Sequence, residues 1–152
     1  MSLSRPVSAS RLRAGPGEAV GVTEEMIRTV VHAFYAKVRP DPMLGPIFGR
    51  VIADEAWPTH LSRMCDFWSS VLLMTGRFKG APMPAHVAIE GLQPAHFARW
   101  LALFRETAAE TCPPAAAALF DAKARVIAES LQLGIAVSRG ELPGLCARAS
   151  SR

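Results

Sequence analysis

Proline and glycine cut this chain into four long stretches in which apolar residues recur at helical spacing, and nothing alternates polar with apolar over a strand's length. The first stretch opens at Thr23, an N-cap residue, with Glu24 and Glu25 placed to suit the helix dipole. Met26, Ile27, Val30, Val31, Phe34, Tyr35 and Val38 then form one stripe that ends at Arg39-Pro40-Asp41-Pro42, and His32 falls off it. From Pro40 to Phe48 three prolines and a glycine disfavour a long regular helix, leaving a packed corner anchored by Leu44, Ile47 and Phe48. A second helix starts near Asp54, with Trp57, His60, Leu61, Met64, Phe67, Trp68, Val71 and Leu72 on one broad face. Gly76, Gly80, Pro82 and Pro84 then make residues 76–85 a loop, followed by a helical turn or two from His86 to Ile89. Pro94 opens a third long helix, carrying Phe97, Trp100, Leu101, Phe104 and Ala108, which stops near Cys112-Pro113-Pro114. The fourth runs from those prolines to about Ser138. The expected fold is all-α, a single domain over residues 22–138.

Charge sets the tails apart. Residues 1–22 and 139–152 hold Arg5, Arg11, Arg13, Arg139, Arg148 and Arg152 against Glu18 and Glu141, which accounts for the whole formal charge of +4 and leaves the body neutral. A neutral body with basic tails is a poor nucleic-acid binder, so residues 1–21 are expected to be a disordered basic extension and 139–152 a flexible tail. No apolar run approaches the length of a membrane span, and the start lacks a secretory signal's apolar stretch. Cys65, Cys112 and Cys146 contain no Cys-x-x-Cys pair, which speaks against a disulfide framework or a zinc knuckle and fits a reducing, cytoplasmic setting.

Several chemistries have no carrier. There is no glycine-rich phosphate loop, no Gly-x-Ser-x-Gly elbow, and no His-Glu-x-x-His or carboxylate–histidine helix pair. What remains is the histidines. A lone histidine on an apolar face is most often an ordinary core residue. Here, however, His60 shares its face with large apolar side chains, and His86 follows on an irregular segment. Tyr35 and Trp100 add polar tips among apolar neighbours. A flat apolar cofactor with one open metal position would use all four. A loop as long as 76–93 in a compact domain also points to function.

At these residues the chain resembles the truncated haemoglobins, and within them the third group. The resemblance rests on FYAKVRPDPMLGPIF at 34–48, WPTHLSRMCDFW at 57–68, the TGRFKGAPMPAH run ending at His86, and HFARWLALF at 96–104. It covers about residues 22–137 and excludes both tails; the paired-glycine motifs of the other two groups are absent. It implies a two-over-two helical sandwich around haem b (iron protoporphyrin IX). It also implies His86 as proximal iron ligand, with Tyr35 as distal hydrogen-bond donor, His60 as the distal histidine, Trp100 capping the distal pocket, and Met64 facing the bound ligand. His96, at the start of a helix, is expected to be a surface or helix-end residue rather than the ligand. Phe48, Phe67, Trp68 and Leu72 are candidate haem walls, and each would serve equally as plain core. Arg63, Arg77 and Lys79 are candidate partners of the haem propionates.

The implied function is binding of oxygen, carbon monoxide and nitric oxide at a polar distal pocket. Nitric oxide detoxification or peroxidase-like turnover, with electrons from an unidentified reductase, suits such a pocket better than bulk transport. The alternatives are oxygen storage or sensing without turnover, and a helical regulatory or interaction module without haem. A monomer with no membrane or nucleic-acid partner is expected.

Overall fold

The computed structural model describes residues 15–141 and contains, among them, six α-helices and no strand. These are α1 (Glu24–Val38), α2 (Gly45–Val51), α3 (Trp57–Leu73), α4 (Pro82–Val87), α5 (Pro94–Thr111) and α6 (Pro114–Ser138). α1 packs on both α3 and α5, α5 lies along α6, and the short α4 rests on α6. The long helices thus form two packed pairs, α1 with α3 and α5 with α6, joined where α1 meets α5, in keeping with the expected sandwich. Its centre is aromatic: Phe34, Phe104 and Phe120 are fully buried, and Phe104 stacks with Trp68 at 4.9 Å and with Trp100 at 5.4 Å between ring centroids.

The helix starts follow from local chemistry. Thr23 caps α1 by accepting a hydrogen bond from the Met26 N–H at 3.1 Å. α3, α4, α5 and α6 each carry proline in the first turn, where a missing N–H costs nothing. The same rule corrects two expectations. The corner at 40–48 passes into a genuine short helix, α2, because Pro46 falls in its first turn. Just before it, Asp41 is buried and its Oδ2 accepts from the Met43 and Leu44 N–H groups at 3.1 and 2.9 Å. The other oxygen of Asp41 takes two hydrogen bonds from Arg99 of α5, at 2.9 and 2.7 Å, which ties the corner to the opposite layer. Arg99 and those two N–H groups hold the Asp41 carboxyl below its usual range despite burial. The second correction is that α4 begins at Pro82, so His86 lies near the end of a helix and not at the start of one.

Residues 15–21, expected to belong to the disordered extension, are folded: Glu18–Val20 form a 3-10 turn, and the Gly17 N–H donates to the Leu72 carbonyl at 2.8 Å. Glycine is required at Gly15, where an added Cβ would sit 2.2 Å from that same carbonyl oxygen. The rest of the expected extension, up to residue 14, and the tail from residue 142, including Cys146, lie outside the described residues. At the other end, α6 stops at Ser138 as expected.

Candidate functional site

All six helices contribute to one cavity of about 370 Å³, a size ordinary for small-molecule and cofactor pockets. Its walls are largely apolar, with Leu44, Ile47, Phe48, Phe67, Phe97, Ile127 and Leu131 among them. The polar groups that reach it are few: Tyr35, His60, Arg63, His86, His96 and Trp100.

Along α3, His60, Arg63, Met64 and Phe67 all line the cavity, as spacings of three and four residues on one helix face require. Tyr35 comes from the inward stripe of α1, and its ring meets His60 edge-on at 5.1 Å between centroids. Trp57 braces both, at 5.6 Å from Tyr35 and 5.4 Å from His60, and is itself covered by the Arg39 guanidinium at 4.6 Å. Trp100 reaches the cavity from α5 after packing edge-on against Phe34 at 5.5 Å.

The hydrogen bonds of this wall are incomplete. His60 Nε2 is buried and has no partner, and among the described residues no hydrogen bond satisfies the Tyr35 hydroxyl or the Trp100 indole N–H. A buried polar atom without a partner costs free energy, and here it marks a place built for something polar. Burial, the Arg63 charge and the His86 charge push the His60 imidazole down to about 4, so it is neutral near pH 7. Burial raises the Tyr35 hydroxyl above its usual range, which keeps it a protonated donor.

The low His60 value makes a prediction for the haem-free protein. The unfolded chain takes up a proton at this histidine near 6.5, whereas the fold resists it until about 4. Its contribution is therefore present above 6.5 and lost as pH falls toward 4. Between about pH 7.5 and about 4.5 the wild type should lose roughly 1 kcal/mol more than His60→Gln in urea unfolding, less than the whole shift implies because the imidazole is only partly buried. Equal losses in the two proteins would contradict the buried neutral imidazole.

The other two histidines that line the cavity, His86 and His96, differ in hydrogen bonding. His86 Nδ1 lies 2.6 Å from the Pro82 carbonyl oxygen; a carbonyl only accepts, so Nδ1 carries the proton and Nε2 keeps a free lone pair. That is how metal-binding imidazoles are commonly oriented. His96 is the reverse. Its Nδ1 accepts the Gln93 N–H at 2.9 Å across the start of α5, so in the neutral ring Nε2 bears the proton and offers no lone pair. It is a helix-end residue as expected, yet half-buried and on the cavity wall rather than simply on the surface.

The structure brings together Tyr35, His60, Met64, Trp100, His86, Phe48, Phe67, Trp68 and Arg63 around this cavity. It does not bring in three others. Leu72 is fully buried in the core away from the cavity lining. Arg77 pairs with Glu24 at 2.6 Å and Asp66 at 3.4 Å. Lys79 is exposed and does not reach the cavity. Sequence reasoning missed Phe78, whose ring lies edge-on to Phe67 at 5.2 Å and lines the cavity. It also missed Ile47, Leu92 and Phe97 as lining residues: Ile47 and Phe97 stand out as apolar anchors without a direction, and Leu92 lies in the loop before Pro94, where no periodicity marks it. Among the described residues no group of three or more histidine, cysteine or acidic side chains is arranged to hold a metal ion by itself.

Comparison with known proteins follows the same lines. No protein-family model matches the chain. It is 36% identical over 88 residues to the Group 3 truncated hemoglobin ctb of Campylobacter jejuni, a match spanning 57% of this chain and 69% of that protein. Among solved structures, the crystal structure of the group III truncated hemoglobin from Campylobacter jejuni superposes with a TM-score of 0.72 at 31% identity, covering 75% of this chain and 91% of that one.

Proposed function

The chain belongs to the group III truncated haemoglobins, a haem-binding globin family, and from that premise we propose that it holds haem b between His86 and the Tyr35–His60–Trp100 wall for chemistry on oxygen and nitric oxide. The observation that carries the reading is the buried His60 Nε2, which has no hydrogen-bond partner and stands on a largely apolar cavity that Tyr35, Trp100 and His86 also line. Haem, when bound, supplies an iron with a coordination position for a diatomic ligand.

The chain's own residues do the rest. His86 presents its Nε2 lone pair, oriented by the Pro82 carbonyl. The Tyr35 hydroxyl and the Trp100 N–H offer hydrogen bonds to a ligand that draws electron density, and neutral His60 can donate or accept beside them. A ligand of low polarity, such as carbon monoxide, gains less from the same donors. Arg63, which lines the cavity, would meet a cofactor carboxylate, and Phe48, Phe67 and Trp68, on the same lining, would pack against its apolar body. Strong retention of oxygen suits nitric oxide dioxygenation or peroxidase-like turnover, with electrons from an external reductase, better than delivery. The protein would act as a cytoplasmic monomer; half-buried free thiols at Cys65 and Cys112 support a reducing setting. Among the described residues no helix is long and apolar enough to cross a membrane.

The test is nitric oxide consumption by the oxygenated, haem-loaded protein, followed together with nitrate formation. Rapid consumption with nitrate as product is the expected result. Fast oxygen release without consumption would favour storage or sensing. Failure of the protein to take up haem would leave a helical module alone.

A further inference from the structure

The connection between α3 and α4 forms one wall of the cavity through Phe78 and Ala81. Among the described residues, its stretch 75–80 makes no backbone–backbone hydrogen bond. Side chains hold it instead. Arg77 Nη2 donates to Glu24 Oε2 at 2.6 Å and to Ser69 Oγ at 2.9 Å, while Ser69 Oγ donates to Glu24 Oε1 at 2.7 Å. Thr75 Oγ1 lies 2.9 Å from the same hydroxyl, and the Asp66 carboxylate is 3.4 Å from Arg77 Nε. One residue further on, the Phe78 N–H donates to Ser70 Oγ at 3.0 Å.

Two features make this more than a surface ion pair. Ser69 at its centre is 0% exposed, so its hydroxyl depends on these partners and not on water. The segment it holds leaves α3 through two residues of positive φ, Met74 at 55° and Gly76 at 67°, so the chain turns sharply away from the helix there. From the first turn of α1, Glu24 thus reaches across α3 to fix a loop that closes the cavity.

We propose that Glu24, Ser69 and Arg77 form a clasp that holds the 75–80 segment over the cavity and sets how long the cofactor stays bound. This rests on the haem reading above, and it gives Arg77 a positioning role in place of contact with haem carboxylates.

The test is the rate at which the haem-loaded full chain loses haem to excess apomyoglobin. Arg77→Ala and Glu24→Gln should each speed loss roughly five- to tenfold, as the removal of a charge-assisted hydrogen bond implies. Because the two act as one unit, the double variant should lose haem no more than about twofold faster than either single change. Arg77→Lys, which keeps the charge, should lie closer to wild type. The acceleration should be the same when the cofactor is the haem dimethyl ester, which has no free carboxylates. Should Arg77→Ala fold poorly, Ser69→Ala carries the same expectation with no change in charge.

Wild-type rates in these variants, or fully multiplicative effects, would overturn the clasp. So would an acceleration seen only with the free diacid, since that would place Arg77 on the cofactor itself. A wild type that takes up no haem would contradict the haem reading, whereas a wild type that holds haem and variants that match it would contradict only the clasp.

Discussion

Oxygen should leave the Tyr35→Phe protein roughly ten- to a hundredfold faster than the wild type, measured by rapid displacement with carbon monoxide. The substitution removes one hydroxyl and leaves the ring. Its contacts with Phe34 at 5.0 Å, Phe48 at 5.8 Å, Trp57 at 5.6 Å and His60 at 5.1 Å all remain, so the cavity keeps its shape. What is lost is a donor that burial keeps protonated and that no other protein group uses among the described residues. A hydrogen bond to a ligand bearing negative charge is worth about 1.5–3 kcal/mol, and about 1.4 kcal/mol is a factor of ten. Trp100→Phe should act in the same direction, with a smaller effect on carbon monoxide in both variants. An unchanged oxygen off-rate in Tyr35→Phe would remove the basis for retention and favour storage.

Much of the fold could be read from the residues because its signals are local. Thr23, Pro94 and Pro113-Pro114 mark helix ends through their own backbone chemistry, and the observed starts at Glu24, Pro94 and Pro114 follow them. The errors come where the same residue type has two meanings. Pro46 and Pro82 look like helix breakers in the sequence, yet each sits in a first turn where it fits. Asp41, whose carboxylate serves both the corner and Arg99 of α5, could not be assigned before the two layers were seen together. Gly15 is invisible for a similar reason. Its need for a bare Cα comes from the Leu72 carbonyl, far away in sequence.

In the site, the residues that sequence placed on one helix face came out together, as His60, Met64 and Phe67 do. Those placed by charge alone did not: Arg77 found Glu24 at the start of α1, a partner that no periodicity reveals. Leu72 shares the α3 face with Phe67 and Trp68 but lies further along it, where the core closes and the cavity no longer extends. The difference between His86 and His96 was drawn at first from resemblance. The hydrogen bonds supply a separate physical reason: accepting from His86 Nδ1–H, the Pro82 carbonyl leaves a lone pair on that ring's Nε2, whereas the Gln93 N–H occupies the His96 Nδ1 lone pair and leaves the ring proton on Nε2.

That difference predicts opposite outcomes for the two histidines when haem is added. With haem b supplied, the wild-type protein should give ferrous and carbonmonoxy absorption spectra of a haem held by one histidine. His86→Ala should lose them almost completely, because no second lone pair stands ready on that wall. His96→Ala should keep them, at the cost of about 1 kcal/mol of stability from the lost N-terminal hydrogen bond of α5. The measurement to make is therefore the Soret and visible spectrum of these three proteins, side by side, with added haem. Spectra that survive in His96→Ala and vanish in His86→Ala are the predicted result. Spectra that vanish in His96→Ala and survive in His86→Ala, or an absence of haem binding in the wild type, would contradict it.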